Sequence, residues 1–249
     1  MIKKYFPLII FLVGILVVAG VFFLLKGKKA DSEIVDEEVI PEIKFEQRPF
    51  VSLTPTEDGH WLKLRIEKIV IEAASLDYEL LYKLPDGRTQ GVPGTVPLDG
   101  QKTIDRELLL GSESSGKFRY DEGVEKGTLT IRFRDSKGKL MGKLSTEFYL
   151  QSETDKLASA DGKFEFTLEK EPKEGFYLVM ETFGVPDLAP KTVSSGPYGL
   201  FTSGTEKLTG SVKMGVYKVY QLIEGSRWEL HPDGASLDSA GGVFIGASE

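Results

Sequence analysis

The sequence predicts an all-β protein carried on a single N-terminal membrane helix, and three observations predict it. Residues 5–25 are apolar without one charge, the chain beyond them alternates apolar and polar residues with a period of two, and five Asp-Gly pairs punctuate that alternation. A period of two sends successive side chains to opposite faces of a strand, so one face is buried and the other wet. Asp-Gly supplies the positive φ angles that two-residue hairpin turns require. No stretch beyond residue 25 keeps the 3.6-residue period of an amphipathic helix.

The first element is the helix. At about 1.5 Å per residue, the 21 residues from Tyr5 to Leu25 match a hydrocarbon core of about 30 Å. Tyr5 and Phe6 stand where an interfacial aromatic belt lies, and Pro7 falls in the first turn, where a missing N–H is harmless. A cleaved signal peptide would have an apolar region of only about 7 to 15 residues ending at a small-residue site. Here Val21 to Leu25 continue the run beyond Val17 and Ala19, which favours an uncleaved anchor. Lys3 and Lys4 on one side are balanced by Lys26, Lys28 and Lys29 on the other. Orientation therefore rests on the general behaviour of short basic tails, which stay inside while a long C-terminal part is translocated. Residues 1–4 are expected in the cytoplasm and the bulk of the chain outside the membrane. Gly14 and Gly20 are six apart, so the span has no Gly-xxx-Gly dimerisation face.

Residues 26–46 follow as an acidic linker. Asp31, Glu33, Asp36, Glu37, Glu38, Glu42 and Glu46 face only Lys44 beyond the membrane-flanking lysines, a composition suited to an extended stalk. The alternative is a docking strand built on Val39, Ile40, Ile43 and Phe45. Once the five lysines before residue 31 are set aside, 26 basic residues meet 38 acids, a balance of −12. Such a surface repels phosphate backbones, and nucleic acid is excluded as a partner. The chain has no Cys and no Asn. Disulfides, Cys-ligated metals, a Cys nucleophile and N-glycosylation are thereby ruled out, which points to a prokaryotic source.

Residues 47–151 read as one module with strands near 50–55, 61–71, 76–84, 103–110, 117–120, 128–134 and 140–150. Leu62, Leu64 and Ile66 alternate with Lys63, Arg65 and Glu67; Leu129, Ile131 and Phe133 alternate with Thr130, Arg132 and Arg134. Ser136-Lys137-Gly138 separates the last two strands as a hairpin turn. Seven short strands in about 100 residues have the size and spacing of an immunoglobulin-like β-sandwich, without the Cys pair of antibody domains. Residues 152–161 are small and polar and mark a boundary. A second β-rich module spans 162–234, the two together making tandem antiparallel sandwiches. Phe164, Phe166 and Leu168 alternate, whereas 176–180 and 216–223 are apolar on both faces and should lie centrally. Residues 235–249, Gly- and Ser-rich, are expected as a flexible C-terminal tail, or an added strand around Val243 to Ile245.

Chemical motifs are sparse. Gly111 to Lys117 has the spacing of a phosphate-binding loop, but Phe118 replaces the Mg²⁺-binding hydroxyl residue and the next residues read as a strand, so a Gly/Ser connection is expected. Ser114…Lys117 and Ser136…Lys139 have Ser-x-x-Lys spacing without the companion motifs of acyl-transfer enzymes. His60 and His231 are the two histidines, which excludes a three-His zinc site; His60, starting a strand after Asp58-Gly59, reads as a surface or edge residue. No cofactor or metal site is expected. The segment 183–204 reads as a long strandless connection carrying Tyr198 and Phe201, and such loops are often functional. Together with Trp228 and His231, these are the candidate partner or ligand contacts. Packing between the modules is the competing role for Tyr198 and Phe201, and core packing for Trp228.

The expected function is non-enzymatic: binding, scaffolding or assembly in a prokaryotic envelope, with an envelope protein or glycan as partner, strand edges and the 183–204 segment being the contact surfaces. The alternatives are an anchored hydrolase of glycan or peptide, using carboxylates or His231 near Tyr198 and Trp228, and an accessory subunit of a secretion or pilus apparatus. Protease added to intact cells should digest the tagged chain to a small protected anchor; protection until lysis would put both modules in the cytoplasm.

Overall fold

The computed structural model describes residues 40–170, 174–189, 192–204, 207–215, 217–223, 227–231, 235–236 and 241–247. The expected tail at 1–4, the membrane helix at 5–25, the linker up to residue 39 and the last of the five Asp-Gly pairs, Asp233-Gly234, lie outside these residues. Among them the structure is all-β, every strand pairing is antiparallel, and no helix is long and apolar enough to cross a membrane.

In chain order the strands are β1 (Phe50–Pro55), β2 (Trp61–Glu67), β3 (Ser75–Lys83), β4 (Thr89–Pro97), β5 (Ile104–Leu109), β6 (Gly111–Ser114), β7 (Lys117–Tyr120), β8 (Lys126–Arg134) and β9 (Leu140–Gln151). They continue as β10 (Lys156–Ala158), β11 (Glu165–Leu168), β12 (Tyr177–Glu181), β13 (Ser195–Thr202), β14 (Thr209–Lys213), β15 (Lys218–Ile223), β16 (Arg227–His231), β17 (Ala235–Ser236) and β18 (Gly242–Ala247). Nine of them form one sheet in the order β16-β15-β18-β13-β12-β9-β8-β3-β4. A three-stranded sheet β1-β2-β5, a four-stranded sheet β10-β11-β14-β17 and the separate hairpin β6-β7 complete the set.

Alternation explains the first layer. Leu62, Leu64 and Ile66 of β2 are buried between exposed Lys63 and Arg65, and they share a core with Leu76, Leu80 and Tyr82 of β3 and Leu129, Ile131 and Phe133 of β8. The opposite face of β3 and β8 is polar, with Arg132 paired to Glu79 at 2.9 Å and Arg134 to Asp77. Asp58-Gly59, Asp86-Gly87 and Asp161-Gly162 turn between paired strands, as Asp-Gly predicts. Asp99-Gly100 instead carries the chain from β4 in the large sheet to β5 in the small one.

At the expected module boundary the large sheet does not break. Strands β9 and β12 flank residues 152–161, yet they pair directly, Leu150 opposite Leu178 and Phe148 opposite Met180. What changes is the covered face. On β12, Leu178 and Met180 join the first core while Tyr177 and Val179 join a second; on β13, Phe201 joins the first and Tyr198 and Leu200 the second; on β18, Val243 joins the first and Phe244 the second. The second core is closed by Leu157, Phe164, Phe166 and Leu168 from β10, the turn after it and β11. These strands are apolar on both faces because both faces are covered.

Four expectations need correction. The domain begins before residue 47: Ile43 is buried in the first core, its carbonyl accepts a hydrogen bond from Arg48 Nε at 3.0 Å, and its side chain occupies the space where a Cβ on Gly142 would stand. The chain therefore joins the folded unit from Pro41, through buried Ile43 and a 3-10 turn at Phe45–Gln47, and not as the docking strand that was the alternative. Strand β4 was hidden by Gly91, Pro93 and Gly94. It is tolerated because β4 is an edge strand, and the Tyr78 ring covers Gly94. Residues 183–204 are not strandless, since 195–202 form β13 in the middle of the sheet. Nor do residues 242–247 belong to a flexible tail: the added-strand alternative holds there, since β18 lies between β13 and β15 with Phe244 and Ile245 fully buried.

Phe244→Ala should cost about 3–5 kcal/mol and Ile43→Ala about 2 kcal/mol, the scale of large-to-small substitutions in packed cores. Urea unfolding of the two variants measures both, and a midpoint unchanged for Phe244→Ala would contradict the central place of β18.

Candidate functional site

The four residues singled out from sequence are not brought together. Tyr198 and Phe201 are 3% and 6% exposed, three positions apart on β13, and so on opposite faces of the sheet. Trp228 and His231 on β16 likewise face opposite sides, opposite Leu222 and Val219 respectively. Trp228 is half-buried and packs on the first core; its indole Nε1 and His231 Nε2 are buried without a hydrogen-bond partner. Tyr198 has an interior role: its hydroxyl donates to Asp161 Oδ2 at 2.7 Å. Burial, then the adjoining carboxylate, raises the Tyr198 phenol. Burial works against the Asp161 charge, but hydrogen bonds from Ser159, Tyr198 and the Lys163 amide hold its carboxyl below the usual range.

The surface that stands out lies at the β1-β2 turn and the β6-β7 hairpin. Ser115 and Gly116 both have positive φ, which makes the Gly111–Lys117 segment a tight hairpin turn, not a phosphate loop before a helix. Except for half-buried Gly111, both strands are exposed. Phe118 and Tyr120, two positions apart on β7, share one hairpin face, and the register places Glu113 and Gly111 opposite them. The two residues are 46% and 37% exposed. His60 stacks on Tyr120 with centroids 4.0 Å apart and planes within 5°, and Trp61 meets Phe118 edge-on at 5.6 Å. Four aromatic side chains from β7 and the start of β2 thus form a continuous strip at the surface.

Local chemistry explains why the turn is held. The Thr56 hydroxyl and the His60 amide donate to Asp58 Oδ1, and these two hydrogen bonds lower the Asp58 carboxyl, which stays ionised. Gly59 adopts φ +69°, and a Cβ there would stand 2.4 Å from the Phe176 ring, so any other residue would be strained and would displace that ring. His60 Nδ1 lies 3.3 Å from Asp58 Oδ2 and Nε2 lies 3.6 Å from Glu122 Oε1, so both ring nitrogens face carboxylates.

Beside the strip opens a cleft of about 350 Å³. Asp58, Asp121, Glu122 and Glu125 line it against Lys156, with Val124, Leu150 and Phe176 as apolar wall. Asp121 accepts a hydrogen bond from the Tyr82 hydroxyl at 2.9 Å, and burial followed by that carboxylate raises the phenol. Gln151 is spent internally, accepting from the Ala158 amide and donating to the Ala158 carbonyl. Glu181, the carboxyl that burial pushes up, sits on β12 opposite Tyr198 and does not line the cleft. Among the described residues no three His, Asp or Glu side chains are grouped to hold a metal ion.

Sequence reading placed His60 at the surface and β7 at 117–120 but did not connect them. The available signal was Phe118 and Tyr120 alternating with Lys117 and Arg119 in a segment with no apolar partner strand beside it.

Asp161 binds its proton less readily in the folded protein than in the unfolded chain. Its contribution is therefore complete above the ordinary carboxylate value of about 3.9 and is lost as pH falls through the lower folded value. Tyr198→Phe should cost about 1 kcal/mol at pH 7, reduced by the solvent exposure of Asp161, and less at pH 3; urea midpoints at the two pH values test this. No protein-family model matches the chain, and a search of curated proteins finds no match either.

Proposed function

We propose that the chain is a membrane-anchored, extracytoplasmic binding protein of a prokaryotic envelope, non-enzymatic, that engages an envelope protein or glycan through the β6-β7 hairpin and its cleft. The observation that carries this reading is the surface strip of exposed Phe118 and Tyr120 with half-buried His60 and Trp61. The hairpin contributes little to either core, so its aromatic residues are unexplained by folding, and aromatic side chains gathered at a surface mark contact sites. The arrangement of β1-β2-β5 over β4-β3-β8-β9 supports an immunoglobulin-like sandwich for the first half, a scaffold that commonly binds through loops and edges. Residues 5–25 supply the anchor and the acidic linker the distance from the bilayer.

An anchored hydrolase is the second reading, favoured by the carboxylates and aromatic rings that share the cleft. Glycosidase chemistry needs one carboxylic acid kept protonated near neutral pH. Asp58, whose carboxyl is held low by its hydrogen bonds, could serve only as the ionised partner of such a pair.

The double variant Phe118→Ala/Tyr120→Ala should unfold within about 1 kcal/mol of the parent, since neither side chain belongs to either core. It should nevertheless lose an envelope component that the parent retains in detergent extracts of membranes and wall. Equal retention by both proteins would remove the hairpin as the contact surface, and turnover of wall glycan lost in Glu122→Gln would favour the hydrolase.

A further inference from the structure

We propose that the strip and cleft take arginine side chains of an extended basic segment on a partner polypeptide. This rests on the binding reading above and names the chemistry of the ligand. Strand alternation carries the argument first. Phe118 and Tyr120 face one side of the hairpin with Glu113, while Lys117 and Arg119 face the other with Ser114 and Ser112. The aromatic side is thus cleared of the hairpin's own cations. Where the strip meets the cleft, its continuation is anionic: Asp58, Asp121, Glu122 and Glu125 against Lys156. Glu122 is 85% exposed and only 3.6 Å from His60, so it can turn toward an incoming group.

A guanidinium matches both halves of this surface at once. It is planar, so its face stacks on the Tyr120 or Phe118 ring while its N–H edge donates to carboxylates beside the ring. An ammonium attracts the same charges but lacks the flat face, and a neutral sugar uses the rings while leaving the carboxylates without a counter-charge. The balance of −12 beyond residue 30 adds long-range attraction for any basic segment.

The test uses the full 249-residue chain in detergent and a fluorescently labelled, end-blocked peptide of four Arg alternating with Gly, followed by anisotropy. The same peptide with Lys and a hexamer of N-acetylglucosamine are the comparison ligands. The Arg peptide should bind at least about fivefold more tightly than the Lys peptide, and the hexamer not at all. Tyr120→Ala should weaken Arg binding about tenfold, the scale of a desolvated stacked cation, and Tyr120→Phe should retain it. Asp58→Asn/Glu122→Gln should weaken binding, whereas Glu107→Gln/Glu147→Gln, which removes the same charge elsewhere, should not. Equal loss in the two charge-matched pairs would reduce the effect to general attraction and overturn the proposal. Binding of the hexamer without the Arg peptide would make this a glycan site, overturning the inference while sparing the binding reading. If the Phe118→Ala/Tyr120→Ala variant loses its envelope component but no Arg peptide binds, the inference alone falls. Melting curves of each variant establish that it is folded.

Discussion

The structure depends on a single sheet whose apolar covering changes sides. Over β3, β8 and β9 the first core is closed by β1 and β2, and the opposite face is a wet lattice of Arg132, Arg134, Asp77 and Glu79. At β12, β13 and β18 both faces are apolar, and the second face is closed by β10, β11 and β14. Burial of apolar area is the main favourable term in folding, and a face left bare would forfeit it. The sheet therefore needs two covers on opposite sides, and the central strands belong to both.

That arrangement explains several local features. The last strand, β18, must be apolar throughout, because it inserts between β13 and β15 and meets a cover on each side. Residues 49–51 are tied to the same place: the Val51 amide donates to the Thr182 carbonyl, and the Gly184 amide donates to the Pro49 carbonyl. A Cβ at Gly184 would stand 2.4 Å from the Arg48 carbonyl oxygen, so the close approach of these two segments depends on glycine. Beginning and end of the domain thus meet on the central strands, and the fold is closed only when β18 is in place.

The β6-β7 hairpin stands outside this logic. It interrupts the run from β5 to β8, pairs only with itself, and leaves the rings of Phe118 and Tyr120 at the surface. Its position is nonetheless defined. The Asp121 amide donates to the Leu110 carbonyl, the Leu110 amide donates to the His60 carbonyl, and the Tyr82 hydroxyl reaches Asp121 from the core side. A surface group carried on such fixed elements can present a preset geometry to a ligand, which lowers the entropy lost on binding.

Strand identity in the first half was legible at 50–55, 76–83 and 128–134, and at 61–67 although the expected strand ran on to 71, because alternation is a local property of adjacent residues. Hairpins at Asp58-Gly59 and Ser136–Gly138 were legible for the same reason, as turn chemistry lies within a few residues; at Asp86-Gly87 the turn was legible but its second strand was not. The double-faced apolarity of 176–180 correctly announced a central strand. The partners of these strands were not legible. Nothing in Leu150 or Leu178 specifies that they pair across a polar boundary, because strand pairing joins residues distant in sequence and depends on which faces remain to be covered. Tyr198 and Phe201 looked like a functional pair in a loop, and only the sheet put them on opposite faces of a buried strand. His60 and Tyr120 lie 60 positions apart, so their stacking existed in no local pattern. The sequence by itself determined the strands that alternate apolar and polar residues, several of the turns between them and the acidity of the chain, all consequences of neighbouring residues. The shared sheet, the change of covered face and the aromatic strip were decided by tertiary structure, because each requires distant segments to compete for the same apolar surface.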